Sequence, residues 1–168
     1  MVELESQEAV TVASTADIAV DVSLRLLAAA TSLAAAVVVA ANHQQRWGIR
    51  VDFTLFQVWI GFVAVNLVCT VYAAATAAAA ARKAMGRWWL HHADAVVVNL
   101  EAAATAGAGA IGSIAMWGNE ASGWYAVCRL YRRYCNAGAA ALALSLAAVL
   151  LLGVACARSR YPKMPPTT

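Results

Sequence analysis

Arg25, Asp94 and Glu101 stand inside segments of this chain that are otherwise apolar. Placing one carboxylate at the centre of a membrane helix costs about 2.5–3.5 kcal/mol on insertion scales, so such groups normally have partners. Three chemistries are open to them: an ion pair that fixes helix register, a proton or cation path through Asp94 and Glu101, or snorkelling and internal hydrogen bonding by a protonated acid. A second group with chemical potential is Cys128 and Cys135, which bracket a basic, aromatic loop. Seven residues of straight helix would hold them about 10.5 Å apart. A disulfide needs Cα atoms within about 7 Å, so if they pair the loop must turn. Two unpaired loop thiols are the alternative. His91 and His92 precede Asp94 but, being adjacent, cannot share a helix face, and both cysteines lie at the far end of the same span. No metal site is expected. No nucleophile motif, phosphate-binding glycine loop or acid–base pair occurs outside the apolar segments, so catalysis is not expected either.

The elements that must position these groups follow from the distribution of charge. The chain has 168 residues, a length suited to one domain, with 62% hydrophobic and 12% charged residues. That charge content is about half the usual soluble value. Charge is absent for 20 residues from Leu26 to Gln45, 29 from Phe53 to Ala81, 18 from Ala102 to Asn119 and 24 from Tyr134 to Ala157. About 20 apolar residues cross the hydrocarbon core. The pattern predicts an all-α membrane protein, an antiparallel bundle of four transmembrane helices over residues 22–41, 54–76, 89–116 and 138–157. The first 20 residues hold four acids and no Lys or Arg. They read as a flexible tail, with Ser6 and Ser14 as phosphorylatable positions, and the first span as a retained anchor. The membrane domain covers 21–160, and a proline-rich tail covers 161–168. The net charge of +3 is scattered over short loops and implies no nucleic-acid partner.

Four spans put both termini on one face, with Arg82, Lys83, Arg87, Arg158, Arg160 and Lys163 against Arg46, Arg50, Arg129, Arg132 and Arg133 on the other. The six-to-five excess favours cytoplasmic termini. The first and third spans start on the same face. Arg25 lies about three residues into the one and Asp94 about five into the other, both about 5–8 Å below the surface, which makes their pairing feasible. Glu101, seven residues beyond Asp94, projects from nearly the same face, deeper in. Ala103 with Gly107 and Ala108 with Gly112 form two small-xxx-small pairs suited to close helix contact. Asn66, Cys69 and Tyr72 read as packing residues, and Trp47 as an interface anchor.

Several of these residues carry a family pattern. LRLLAAATSLAAAVVVAAN with Arg25, then Asp94, TAGAGAIGSI and GNEASGWYAVCRLYRRYC, with Gly118, Asn119, Trp124, Cys128 and Cys135 in order, resemble the CASP-like branch of the plant Casparian strip membrane domain protein family over about residues 20–160. The resemblance implies a MARVEL-like four-helix plasma-membrane protein with cytoplasmic termini and no cofactor. It also implies homodimers, heterodimers or higher oligomers with other CASP-like chains in the lipid bilayer. Strip-forming members act as immobile platforms that recruit wall-modifying enzymes, so Gly118, Asn119 and Trp124 would lie on an extracellular, disulfide-closed loop that meets wall partners. The first loop, ANHQQRWGIRVDF, departs from the strip-forming signature, and Glu101 replaces an apolar residue. Claudins, with their cysteines and tryptophan in the first loop, do not fit. The expected function is an oligomerising membrane scaffold; the alternative is a small transporter or channel subunit that uses Asp94 and Glu101.

Overall fold

The computed structural model describes residues 2–82 and 87–160, with side chains for 15–82 and 89–159. Lys83, Lys163 and the tail 161–168 lie outside it, as do the side chains of Ser6, Ser14, Arg87, Trp88 and Arg160. Helix α1 runs over Val2–Ala41, α2 over Gln57–Ala81, α3 over Arg87–Trp117 and α4 over Arg132–Arg160. Among the described residues, four stretches are long and apolar enough to cross a membrane: Thr15–Ala41, Gln57–Ala81, Trp89–Trp117 and Arg132–Ser159. α1 packs on α2 and α4, and α3 packs on α4 and α2, so α1 and α3 face each other across the bundle.

Heptad-like spacing sets which face of each helix turns inward. In α1 the buried positions are Arg25, Ala28, Ala29, Ser32, Ala35, Ala36 and Val39; in α2 they are Trp59, Phe62, Asn66, Cys69, Ala73, Thr76 and Ala77. Steps of three and four residues keep such a stripe on one side of a helix, the geometry of closely aligned bundles. The outward faces carry Leu26, Leu27, Val37, Val68, Val71 and Leu150, all more than half exposed. Arg25, Ser32, Asn66, Asp94, Glu101 and Ser145 are meanwhile fully buried. Polar groups inside and large aliphatics outside is the arrangement lipid demands, because aliphatics gain nothing by leaving an apolar solvent.

Two features depart from the sequence reading. α1 extends outward to Val2 instead of starting near residue 22. Residues 2–21 contain no Gly or Pro to stop a helix, and their acids sit toward its N-terminus, where the helix dipole favours negative charge. Arg158 near the end of α4 donates to Asp17 Oδ1 at 3.1 Å, which ties this extension to the bundle. The first loop, read from the sequence only as a short connection anchored by Trp47, is a hairpin in which β1 (His43–Arg46) pairs antiparallel with β2 (Ile49–Asp52). Its two-residue turn holds Trp47 at φ 48° and Gly48 at φ 81°, the positive-φ pair of a tight hairpin turn. Val51 packs on Tyr131 and Tyr134, Asn42 donates to the Tyr134 carbonyl at 2.9 Å, and Gln44 Oε1 accepts the Tyr134 N–H at 3.0 Å. The hairpin is thereby docked on the start of α4.

Candidate functional site: a buried polar ladder and a closed loop

Across the bundle, Arg25 of α1 meets Asp94 of α3 through two parallel hydrogen bonds, Nη1 to Oδ1 at 2.8 Å and Nη2 to Oδ2 at 2.7 Å. Arg25 Nε donates to Asp21 at 3.1 Å, one turn earlier on α1, and Nη1 donates also to Thr76 of α2 at 3.1 Å. The Tyr72 hydroxyl donates to Asp94 Oδ1 at 2.6 Å. Four of the guanidinium's five N–H groups therefore have acceptors, and the carboxylate accepts from two residues besides its helix. Both side chains are fully buried. A buried pair is tolerable only with this degree of hydrogen-bond satisfaction, since desolvation otherwise outweighs the attraction. Arg25 does not snorkel; it points into the core.

Two helical turns deeper the pattern repeats without a cation. Ser32 Oγ donates to Glu101 Oε1 at 2.7 Å, and the Cys69 thiol donates to Oε2 at 2.9 Å. Ser32 follows Arg25 by seven residues and Glu101 follows Asp94 by seven, so the same pair of faces meets twice, at levels about 10 Å apart. A third rung joins Thr105 of α3 to Ser145 of α4, oxygen to oxygen at 2.7 Å, with Thr105 also donating to the Glu101 carbonyl. Asn66 donates to the Phe62 carbonyl of its own helix at 2.9 Å, while its Oδ1 is buried without a partner among the described residues. Among the described residues its side chain makes no bond across helices.

The two small-residue pairs separate. Ala108 and Gly112 turn inward, Ala108 fully buried and Gly112 within reach of Leu142 of α4. Ala103 and Gly107 face outward, and a Cβ on Gly107 would meet nothing within 4 Å. His91 Nδ1 lies 3.4 Å from the Cys156 thiol on α4, and no group of three or more His, Cys, Asp or Glu gathers among the described residues.

At the opposite end, Gly118 terminates α3 at φ +78°, where a Cβ would strike the Trp124 carbonyl at 2.8 Å. The backbones of Asn119 and Trp124 exchange hydrogen bonds at 2.8 and 3.0 Å. These three residues thus shape one another, with Trp124 and Tyr125 exposed beyond them. Cys128, in the 3-10 turn Val127–Arg129, is bonded to Cys135 in the first turn of α4, with Cα atoms 5.7 Å apart. The turn brings the two within bonding range. Behind the loop lies an apolar cavity of about 180 Å³ bounded by Trp59, Met116, Trp117 and Trp124. On the hairpin, the Thr54 hydroxyl and N–H both donate to Asp52, and with Arg50 nearby they hold its carboxyl below the usual carboxylate range.

Ser32, Cys69, Tyr72 and Thr76 were not legible as members of this network. Each is uncharged and equally at home in ordinary packing. Their one signal is position, Cys69, Tyr72 and Thr76 recurring along one face of α2 at steps of three and four.

Four long apolar helices closed around a polar ladder define a multi-pass membrane protein. Comparison with known sequences gives the family. A family model described as the Casparian strip membrane protein domain matches residues 14–151. Over all 168 residues, 100% of each chain, the sequence is 98% identical to CASP-like protein UU1 of Oryza sativa subsp. indica. It is 59% identical over 129 residues to CASP-like protein UU-1 of Sorghum bicolor, covering 77% of this chain and 71% of the relative. To Casparian strip membrane protein 1 of Pinus taeda it is 29% identical over 144 residues, 79% of this chain and 76% of that one. No solved structure matches. The chain belongs to the CASP-like proteins of the Casparian strip membrane protein family.

Proposed function

We propose that this chain is a plasma-membrane scaffold that oligomerises with itself or with other CASP-like chains into membrane domains, with cytoplasmic termini and the disulfide loop turned to the wall. Asn99 carries the reading. It lies ten residues beyond Trp89, about 15 Å along α3 and hence near the middle of a hydrocarbon core about 30 Å thick. Its side chain is exposed, with Nδ2 donating at 2.7 Å to the Ala95 carbonyl of its own helix. Ala103 and Gly107 continue the same outward face at four-residue steps. A polar amide beside small residues on a lipid-facing helix is the composition of a helix–helix contact, where the amide finds partners and backbones approach closely. Gly118, Asn119 and Trp124 would present the loop to extracellular wall enzymes, as the name of the pine relative suggests for a wall structure.

The test is fluorescence recovery of the tagged chain in a plant cell membrane. Slow recovery that accelerates in Asn99→Leu supports the scaffold; free diffusion of the unaltered chain overturns it. The second reading, a transporter subunit, rests on Glu101, whose bonded partners are a hydroxyl and a thiol rather than a cation. A proton or cation flux in vesicles that is lost in Glu101→Gln would favour it. The pairing of Asp94 with Arg25 speaks against Asp94 as a member of such a path.

A further inference from the structure

We propose that the hairpin end of the bundle holds an anionic lipid headgroup, its phosphate seated among four arginines. An open cleft of about 540 Å³ is lined by Arg46 of β1, Arg129 of the 3-10 turn, and Arg132 and Arg133 at the start of α4, with Gln44, Leu130 and Asn136 completing it. Among the described residues no Asp or Glu lines it. Among the described residues none of the four arginines has a carboxylate within ion-pair distance, whereas Arg25, Arg50 and Arg158 each do. The hairpin and the disulfide loop are separated in sequence by two helices, so folding brings together cations that sequence alone scatters. Arg46 is 5.9 Å from the Trp47 ring, a contact that occupies its face but leaves its N–H edge for a ligand.

Electrostatics make this cluster unfavourable without a ligand. Four like charges converge, and two of them open α4, whose first turn holds no acid and whose dipole already presents positive charge there. A phosphate answers both features, since guanidinium groups bind it through paired N–H donors and the helix dipole favours an anion at that end. Depth selects the lipid. Asn136 is the last polar side chain before the apolar run of α4, which begins immediately after it. Arg132 and Arg133 therefore stand within about 9 Å of the hydrocarbon boundary, in the layer that phosphates occupy. Trp47 and Trp124, both more than half exposed at this end, are the interfacial aromatics that mark the same layer.

The full chain, purified in neutral detergent, is titrated by microscale thermophoresis with short-chain dihexanoyl phosphatidic acid, dihexanoyl phosphatidylcholine, inorganic phosphate and polygalacturonate. Two variants are compared with wild type: Arg132→Gln/Arg133→Gln on the helix, and Arg46→Gln/Arg129→Gln in the loops, so that poor folding of either leaves the other informative. Arg158→Gln, at the far end, is the control. The proposal expects phosphatidic acid to bind about tenfold or more tighter than phosphate or phosphatidylcholine, about tenfold loss in each cleft variant, and no change in the control. Equal binding by wild type and cleft variants overturns it. So does inorganic phosphate binding as tightly as the lipid, which would mean a simple anion site, or polygalacturonate binding in place of the lipid, which would assign the cleft to an acidic wall polysaccharide.

Discussion

Toward the termini the bundle is joined by groups that would be solvated or charged in water: Arg25, Asp94, Asp21, Tyr72 and Thr76, with Glu101, Ser32 and Cys69 two turns deeper. Toward the hairpin the core is Val39, Trp59, Phe62, Ala108 and Ala141, closed by a disulfide and a strand pair. The difference follows from what each region borders. Apolar packing gives little specificity between helices in lipid, because lipid tails offer the same contacts. A hydrogen-bonded ion pair has one register in which it is satisfied, and any slip strands a charge. At the water boundary, backbone must be satisfied outside a helix, so turns and a covalent link set the geometry.

The comparison can be broken at either end. The largest effect belongs to Asp94→Leu, which leaves the Arg25 guanidinium buried without its main partner. It should lower stability by about 3–5 kcal/mol, read as a drop in the thermal midpoint of the detergent-solubilised chain. Replacing Cys128 and Cys135 together by serine should cost about 2.5 kcal/mol by loop-closure entropy, with the loss cancelled when wild type is reduced before melting. Gly118→Ala forces a side chain into positive φ against the Trp124 carbonyl. It should cost about 2 kcal/mol and raise hydrogen exchange at the Asn119 and Trp124 amides while leaving the helices protected.

The smallest effect is a pH dependence at the hairpin. The folded-state pKa of Asp52 lies below its unfolded value, so its contribution is complete above the usual carboxylate pKa of about 4 and is lost as pH falls through the depressed folded value. Hairpin amide protection should therefore hold from pH 6 to about 4 and decline below it. Asp52→Asn should flatten that decline.

Much of the polar ladder was legible because charge is conspicuous in apolar sequence. Arg25 and Asp94 stand out by type, and their matched depth follows from four antiparallel spans. The α2 contributors were hidden, since Cys, Tyr and Thr are unremarkable in membrane helices until Asp94 and Glu101 are placed opposite them. Asn99 was hidden for a different reason: helical periodicity orders the faces of α3 relative to one another but does not say which meets lipid. The hairpin was illegible because HQQR is polar throughout, so the short alternation of IRVD has no patterned partner, and the turn is Trp-Gly instead of the familiar Asn-Gly. The outward extension of α1 was hidden because an acidic, Ser- and Thr-rich composition resembles a solvated tail even where no helix breaker interrupts it.

A double-substitution cycle on the charge pair tests the central claim most directly. Arg25→Met, Asp94→Leu and the double variant are melted in the same detergent, and the coupling energy is read from the four stabilities. If the pair sets helix register, each single change should be severe and the double variant should be more stable than their sum by about 2–3 kcal/mol, since it leaves no stranded charge. Additivity within about 0.5 kcal/mol would contradict the account and show that the two residues act independently.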